Sequence, residues 1–535
     1  MQLEFVTRLR RRLAPALAAI GLAAGAAQPA AAQEPQRGGE VVFSLGSDLG
    51  SLNPALSTNI PDVMIGCALY EGLVEVSSNF EIRPLLARAW TISPDGLTYS
   101  FELQKANWSD GKPFTSADVA YSLLEVNAKL SPLFRVAGSM IAGIDTPAPD
   151  KVTIRLKQPF GPFLISLACI QGSAIMPEHV FKGTDVRANP ANSDAPVGTG
   201  PFKLVKWQRG SSIELVRNAD YWKPGRPYLD RLVGRIIPQA SSRLQALQAG
   251  EIDFIQGWTL APSDQAAVRA NPKLKLETSG YASGTVFVAF NNAKPPLAEP
   301  RVRRALAMAT DRPYILKTAW FGDGVVSVGP FNASIGWARN SDIDFGKQYP
   351  VDVATANKLL DEAGFPRNAQ GTRFKLRVIY PSDAPDRAQV ALALKSMWSK
   401  VGVEVQPESP ERAVYANQVY VVGDYDVALE FLNTFGDPAI GITRIYAGEA
   451  IGRPYGNAAR YSNDTVNRLF KEAQDATGPE ARGKLYRDAQ AILAGELPVL
   501  PIREARMQDA ATVRLHGLWD VLGPADWTNA WLSKK

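Results

Sequence analysis

Residues 374–405 constrain the fold more tightly than any other stretch of this chain. Residues 374–380 read as a strand, and residues 387–400 as a helix with Val390, Ala391, Leu394, Trp398 and Val401 on its apolar face. Gly402 stops that helix, and a second strand begins at Val403. Strand, helix and strand in this order demand a parallel pair joined by a right-handed crossover, and so an α/β sheet. Upstream, Ala356, Leu359, Leu360 and Ala363 keep helical spacing as far as Gly364. In an open α/β sheet a ligand sits beyond the carboxyl ends of the strands. That rule directs attention to the residues following Tyr380 and Phe431.

The earlier part of the chain is patterned differently. Residues 97–103 and 152–156 alternate with period two, as half-buried strands do, and Ser93-Pro94-Asp95-Gly96 supplies a turn before the first. Thr115, with Asp118 three residues on, reads as a capped helix start ahead of Val119 and Leu123. The 535 residues exceed what one core holds, since single cores stop growing at roughly 250–300 residues. Residues 284–292 read as an extended crossover between two such regions, and residues 498–502 as a second that carries the chain back. Two extended crossovers joining two lobes form a hinge.

The first 32 residues stand apart. Arg8, Arg10, Arg11 and Arg12 precede an uncharged Ala-, Leu- and Gly-rich run, and Ala30-Ala31-Ala32 follows. This is the pattern of a cleaved secretory signal. The alternative is a membrane anchor, but Pro15, Gln28 and Pro29 interrupt a stretch that is mostly Ala and Gly, short of the about 20 strongly apolar residues a span needs. No cysteine lies near the cleavage position, so a periplasmic protein without a lipid anchor is expected. Removing this segment takes the net charge from +5 to +2, because it carries four Arg and one Glu. A surface for nucleic acid, with its concentrated excess of Lys and Arg, is not expected.

Several common chemistries have no footing. The two histidines, His179 and His516, are far apart, so no H-E-x-x-H zinc site exists. Neither a G-x-S-x-G elbow, a phosphate-binding loop nor a dinucleotide fingerprint occurs. No catalytic residue, metal ligand set or cofactor is expected. Cys67 and Cys169 either form a disulfide, which the periplasm permits, or are two buried thiols.

A series of segments runs in order along the chain: Gly38-Gly39-Glu40-Val41-Val42, Leu52-Asn53-Pro54, Leu69-Tyr70-Glu71-Gly72-Leu73 and the block from Trp90 through Trp108-Ser109-Asp110-Gly111 to Val119. Gly198-Thr199-Gly200-Pro201-Phe202, Asn218-Ala219-Asp220-Tyr221-Trp222, Val302-Arg303-Arg304-Ala305-Leu306 and Lys400-Val401-Gly402-Val403 complete it. Together these segments resemble solute-binding protein family 5, the dipeptide-, oligopeptide- and nickel-binding proteins of ABC importers. The resemblance implies a two-lobed periplasmic-binding-protein fold, type II-like, with an extra subdomain in lobe I and a two-segment hinge. The expected organisation is a signal peptide at 1–32, lobe I with its subdomain at 33–285, an inserted lobe II at 286–500 and a return to lobe I at 501–535. It further implies a monomer that closes on a small-molecule ligand and delivers it to an inner-membrane permease.

The ligand is less legible. Dipeptide-binding relatives hold the peptide amine with an aspartate that follows a tryptophan and precedes Asp-Pro. Here Asp437-Pro438 matches, but Phe431 or Leu432 replaces the tryptophan and Thr434 stands where the aspartate should be. The carboxylate-binding arginine is missing after Tyr380, with none before Arg387. A zwitterionic dipeptide in the same pose would leave its charges unpaired, which is costly. Glu430 or Asp383 are candidates to replace the amine partner, with an outward-facing strand position as the plain alternative for Glu430. Tyr380, Asn433, Thr434 and Phe435 suit a peptide-like or other small polar solute, and Trp258 and Trp337 are further cleft candidates. The other readings are a different ligand class (chelated nickel, an opine or an oligosaccharide) and a secreted carboxylate-based hydrolase.

Overall fold

The crossover expected at 374–405 organises one lobe. In the computed structural model, which describes residues 34–534, β8 (Phe374–Ile379) and β9 (Val403–Glu408) pair in parallel around helix α1 (Pro385–Ser399). The compact unit is Gln36–Lys535. The expected signal peptide lies outside the described residues.

A mixed sheet of eleven strands runs through both lobes among the described residues. On the first-lobe side are β1 (Glu40–Leu45), β2 (Phe202–Gln208), β3 (Ser212–Arg217), β4 (Arg231–Ile236) and β5 (Phe254–Ile255). The two crossovers are far longer than the sequence pattern suggests: β6 spans Leu274–Phe290 and β11 spans Val499–Thr512. They pair antiparallel along most of their length, from Leu274 opposite Thr512 to Ala289 opposite Val499. At one end β11 also pairs with β5, and at the other β6 pairs with β10 (Val427–Asn433). The short β7 (Val325–Val326) lies against Glu504 and Arg503 of β11. The order across the sheet is β9-β8-β10-β6-β11-β5-β1-β4-β3-β2. The β6–β11 register shifts between Thr278 and Ser283, near the middle of the ladder. An irregularity there loosens the pairing where two rigid halves meet.

The cores divide the same way. One set of buried side chains joins Val41, Phe43, Met64, Phe202, Leu232 and Phe254 to Ala511, Leu515 and Trp527 near the C-terminus. Another joins Val286, Val302, Leu360, Val390, Trp398 and Leu429 to Leu500 and Ile502. The subdomain is a four-stranded antiparallel sheet of Ala87–Ile92, Thr98–Leu103, Lys151–Leu156 and Ile141–Ala148 with its own core. Its strands alternate buried and half-exposed as their sequence predicts. Thr115 and Asp118 form the expected capping box. Cys67 and Cys169 are joined in a disulfide, which settles the open choice between bridge and thiols.

Candidate ligand cleft between the lobes

Strand β10 delivers the candidate residues to the seam between the lobes. Its last residue, Asn433, lies opposite Gly284 of the crossover strand. A Cβ at 284 would come within 2.5 Å of the Phe431 ring and 3.0 Å of Asn433 Oδ1, so glycine lets this edge close on the hinge. Beyond β10 the chain turns through Phe435 (φ 49°) and Gly436 (φ 80°), two successive left-handed residues. For phenylalanine that conformation is strained, and such strain collects at functional sites. At Gly436 a side chain would meet Ile165, Leu522 and Phe80 of lobe I at 3.0–3.1 Å.

Two contacts fix this turn. Asp437 caps the next short helix and accepts two 2.7 Å hydrogen bonds from the Arg482 guanidinium, which belongs to α2 (Pro479–Glu496). Both side chains of that pair are 6% exposed. Across the seam, Gln171 Nε2 donates to the Phe435 carbonyl at 3.0 Å. Asn433, Thr434, Phe435 and Gly436 here face Leu133, Ile170, Gln171 and Leu522 around a space of about 20 Å³. Asn433 Oδ1 is buried and has no hydrogen-bond partner among the described residues. Such an acceptor calls for an explanation, and at a seam the natural one is a ligand.

The structure brings only some of the candidates together. Asn433, Thr434 and Phe435 line one wall. Tyr380 follows the neighbouring strand β8 and packs on the lobe II core, with its N–H bonded to the Glu408 carbonyl. Asp383 is exposed and held by Arg412 at 2.7–2.8 Å, which keeps its carboxyl below the usual range. Trp258 stands half-exposed in lobe I and lines neither this space nor the larger cavity beside it, whereas Trp337 lines the latter.

Glu430 does not face outward from its strand; it is buried and accepts a hydrogen bond from Tyr415. Burial pushes its pKa up to about 6, opposed by that hydrogen bond and by the charges of Arg387 and Arg412. The first arginine after Tyr380 is Arg387. Its guanidinium is held by Asp386 at 2.6–2.7 Å and lies 5.5 Å from the centre of the Phe431 ring. Its position in the first turn of α1, at the carboxyl end of β8, is where an α/β sheet places ligand contacts. That signal was available in the sequence; Gln171, from the other lobe, offered none. Arg444 lies 5.5 Å from the centre of the Phe435 ring. The histidines are elsewhere, His179 on Asp110 and His516 stacked on Trp531.

The family of bacterial extracellular solute-binding proteins, family 5 (middle), matches residues 81–451 of this chain. The chain belongs to that family. Heme-binding protein A of Haemophilus influenzae is 30% identical over 456 residues, covering 81% of each chain. Glutathione-binding protein GsiB of Salmonella typhimurium is 29% identical, covering 94% of this chain and 95% of the relative. Among solved structures, the ABC transporter-associated periplasmic binding protein DppA of Helicobacter pylori, in complex with the peptide STSA, superimposes with TM-score 0.73 at 26% identity. It covers 93% of this chain and 99% of that one.

Family 5 proteins are binding proteins, and here the segments that carry the family resemblance serve the frame. Glu71 accepts hydrogen bonds from Tyr221 Oη at 2.7 Å and Trp222 Nε1 at 2.8 Å, which ties two of those segments together. A third, Gly198-Thr199-Gly200, passes so close to Leu69 that a Cβ at 198 would come 1.9 Å from its carbonyl oxygen.

Proposed function

We propose that the protein is the extracytoplasmic receptor of an ABC importer, which captures a small peptide-like or other polar solute between its lobes and releases it unchanged. One observation carries this reading. The turn at Asn433–Gly436 hangs from a strand paired directly with crossover strand β6, so a ligand held there acts on the hinge itself. The named ligands of the relatives, glutathione and the peptide STSA among them, support a peptide-like solute. On this reading the chain is exported after cleavage near Ala32, works as a monomer and docks on an inner-membrane permease. Lobe I comprises residues 33–285 and the C-terminal return. We place that return after Glu504, because Ile502 packs in the lobe II core and Glu504 bonds Ser327 and Ala333.

Asn433 and Thr434 offer neutral contacts where a dipeptide amine would need a charge. A ligand with an uncharged or blocked amine end fits this set best. The test is thermal unfolding against free and N-acylated peptides, glutathione, sugars, opines and chelated nickel. A ligand at 100 times its Kd adds about 2.7 kcal/mol. N-acylated peptides or glutathione should raise the midpoint more than free dipeptides do. A rise confined to sugars or chelated nickel would overturn the peptide reading and leave the receptor.

A further inference from the structure

The lobes also meet outside the crossovers and the Asn433–Phe435 turn. In lobe II the helix Asp464–Asp475 ends just before α2, and the last carbonyls of a helix lack partners within it. Three of them are nevertheless bonded. Glu472 accepts from the Ala476 N–H at 2.9 Å, Ala473 from Arg482 Nε at 2.8 Å, and Gln474 from the Gly161 N–H at 2.7 Å. The first two donors belong to lobe II. The third comes from the subdomain of lobe I.

Glycine is required on the lobe I side of this contact. A Cβ at 161 would lie 2.7 Å from Arg482 Nε and 2.9 Å from the Ala476 carbonyl oxygen. Gly161 is not left-handed, so its own loop accepts alanine and only the approach of lobe II forbids it. Gly96 repeats the pattern: a Cβ there would come 2.8 Å from Thr477 Cγ2. Neither side yields easily. Phe160 and Phe163 anchor the Gly161 loop in the subdomain core, and Arg482 is held by Asp437, Ala473 and Tyr486. Farther along the seam, Phe80 packs on the subdomain core and on the lobe II core that holds Phe331 and Tyr486. Its φ of 67° is strained for phenylalanine.

We propose that Gly161 and Gly96 of the subdomain, seated on the Gln474–Thr477 connection of lobe II, form a latch that stabilises the closed arrangement without a solute. The latch rests on the receptor reading above and adds a device to it. A solute and the latch favour the same state, so each supplies part of the closing free energy. One net hydrogen bond changes the closed-to-open ratio about two- to tenfold, which leaves the ligand-free protein a mixture that a solute still shifts.

Small-angle X-ray scattering of the ligand-free protein tests it. Gly161→Ala obstructs docking from lobe I. Thr477→Trp obstructs it from lobe II, at an exposed residue that belongs to neither core. Both variants should unfold as cooperatively as wild type and scatter with a larger radius of gyration. Lys484→Ala, exposed on α2, should match wild type. An unchanged radius of gyration in both folded variants overturns the latch. Solute-induced contraction of the wild type separates that result from failure of the receptor reading, which abolishes the contraction as well.

Discussion

Two buried glutamates, one in each lobe, show how differently the halves of this molecule use the same side chain. Glu71 in lobe I is 3% exposed and Glu430 in lobe II is 5% exposed, and burial raises the pKa of both. Glu71 is pinned by two donors, Tyr221 and Trp222. It is a joint between segments distant in sequence. Glu430 accepts a hydrogen bond from Tyr415, whose hydroxyl also reaches the Leu429 carbonyl at 3.2 Å. It stands three residues before Asn433, under the charges of Arg387 and Arg412. The frame is held by groups that need each other, whereas the site is bordered by groups that can be exchanged. A family can keep the first while its members change the second.

That contrast can be broken in order of expected effect. The severest change removes the one joint that belongs to the site. Asp437→Ala leaves Arg482 buried without its carboxylate and should cost about 3–5 kcal/mol in urea unfolding, since stranding one member of a buried pair is expensive. Next comes the lobe I bridge. Replacing Cys67 and Cys169 together by serine should cost roughly 2–4 kcal/mol, from the long loop that the disulfide closes. Glu71→Met strands two buried donors and should lose roughly 2 kcal/mol or more.

Glu430→Gln has the smallest effect and the opposite sign. The folded pKa of about 6 lies above the ordinary 4.5, so the folded state binds this proton more tightly than the unfolded chain does. The stability it contributes is fully present below pH 4.5 and is lost as pH rises through 6. Glu430→Gln should therefore be more stable than wild type by roughly 1–2 kcal/mol at pH 7.5, with the difference vanishing near pH 4.5. A loss at pH 7.5 comparable to that of Glu71→Met would erase the distinction between joint and border.

Much of the architecture was legible because local chemistry enforces it. The helix at Pro385–Ser399 and its flanking strands follow from apolar spacing and a stopping glycine. The Thr115–Asp118 cap follows from two side chains three residues apart. The crossovers were legible in kind but not in length, because strands buried from both sides lose the alternation that marks their ends. The site was legible only in part. Asn433, Thr434 and Phe435 follow from the topology of the sheet and the Asp437-Pro438 landmark. Gln171 and Arg482, which hold that turn, approach from 264 and 45 residues away, and no local pattern encodes such a meeting. Glu430, open in the sequence between a ligand contact and an outward strand position, is buried against Tyr415, because strand alternation gives a face without saying what covers it.

The central claim is that a solute held at the Asn433–Phe435 turn closes the lobes about the β6–β11 ladder. Small-angle X-ray scattering of the purified protein, with and without whichever solute of the panel raises the unfolding midpoint most, tests it directly. A smaller radius of gyration at saturation is expected, with the change abolished in Phe435→Ala. An unchanged radius of gyration in the presence of a solute that demonstrably stabilises the protein would contradict it.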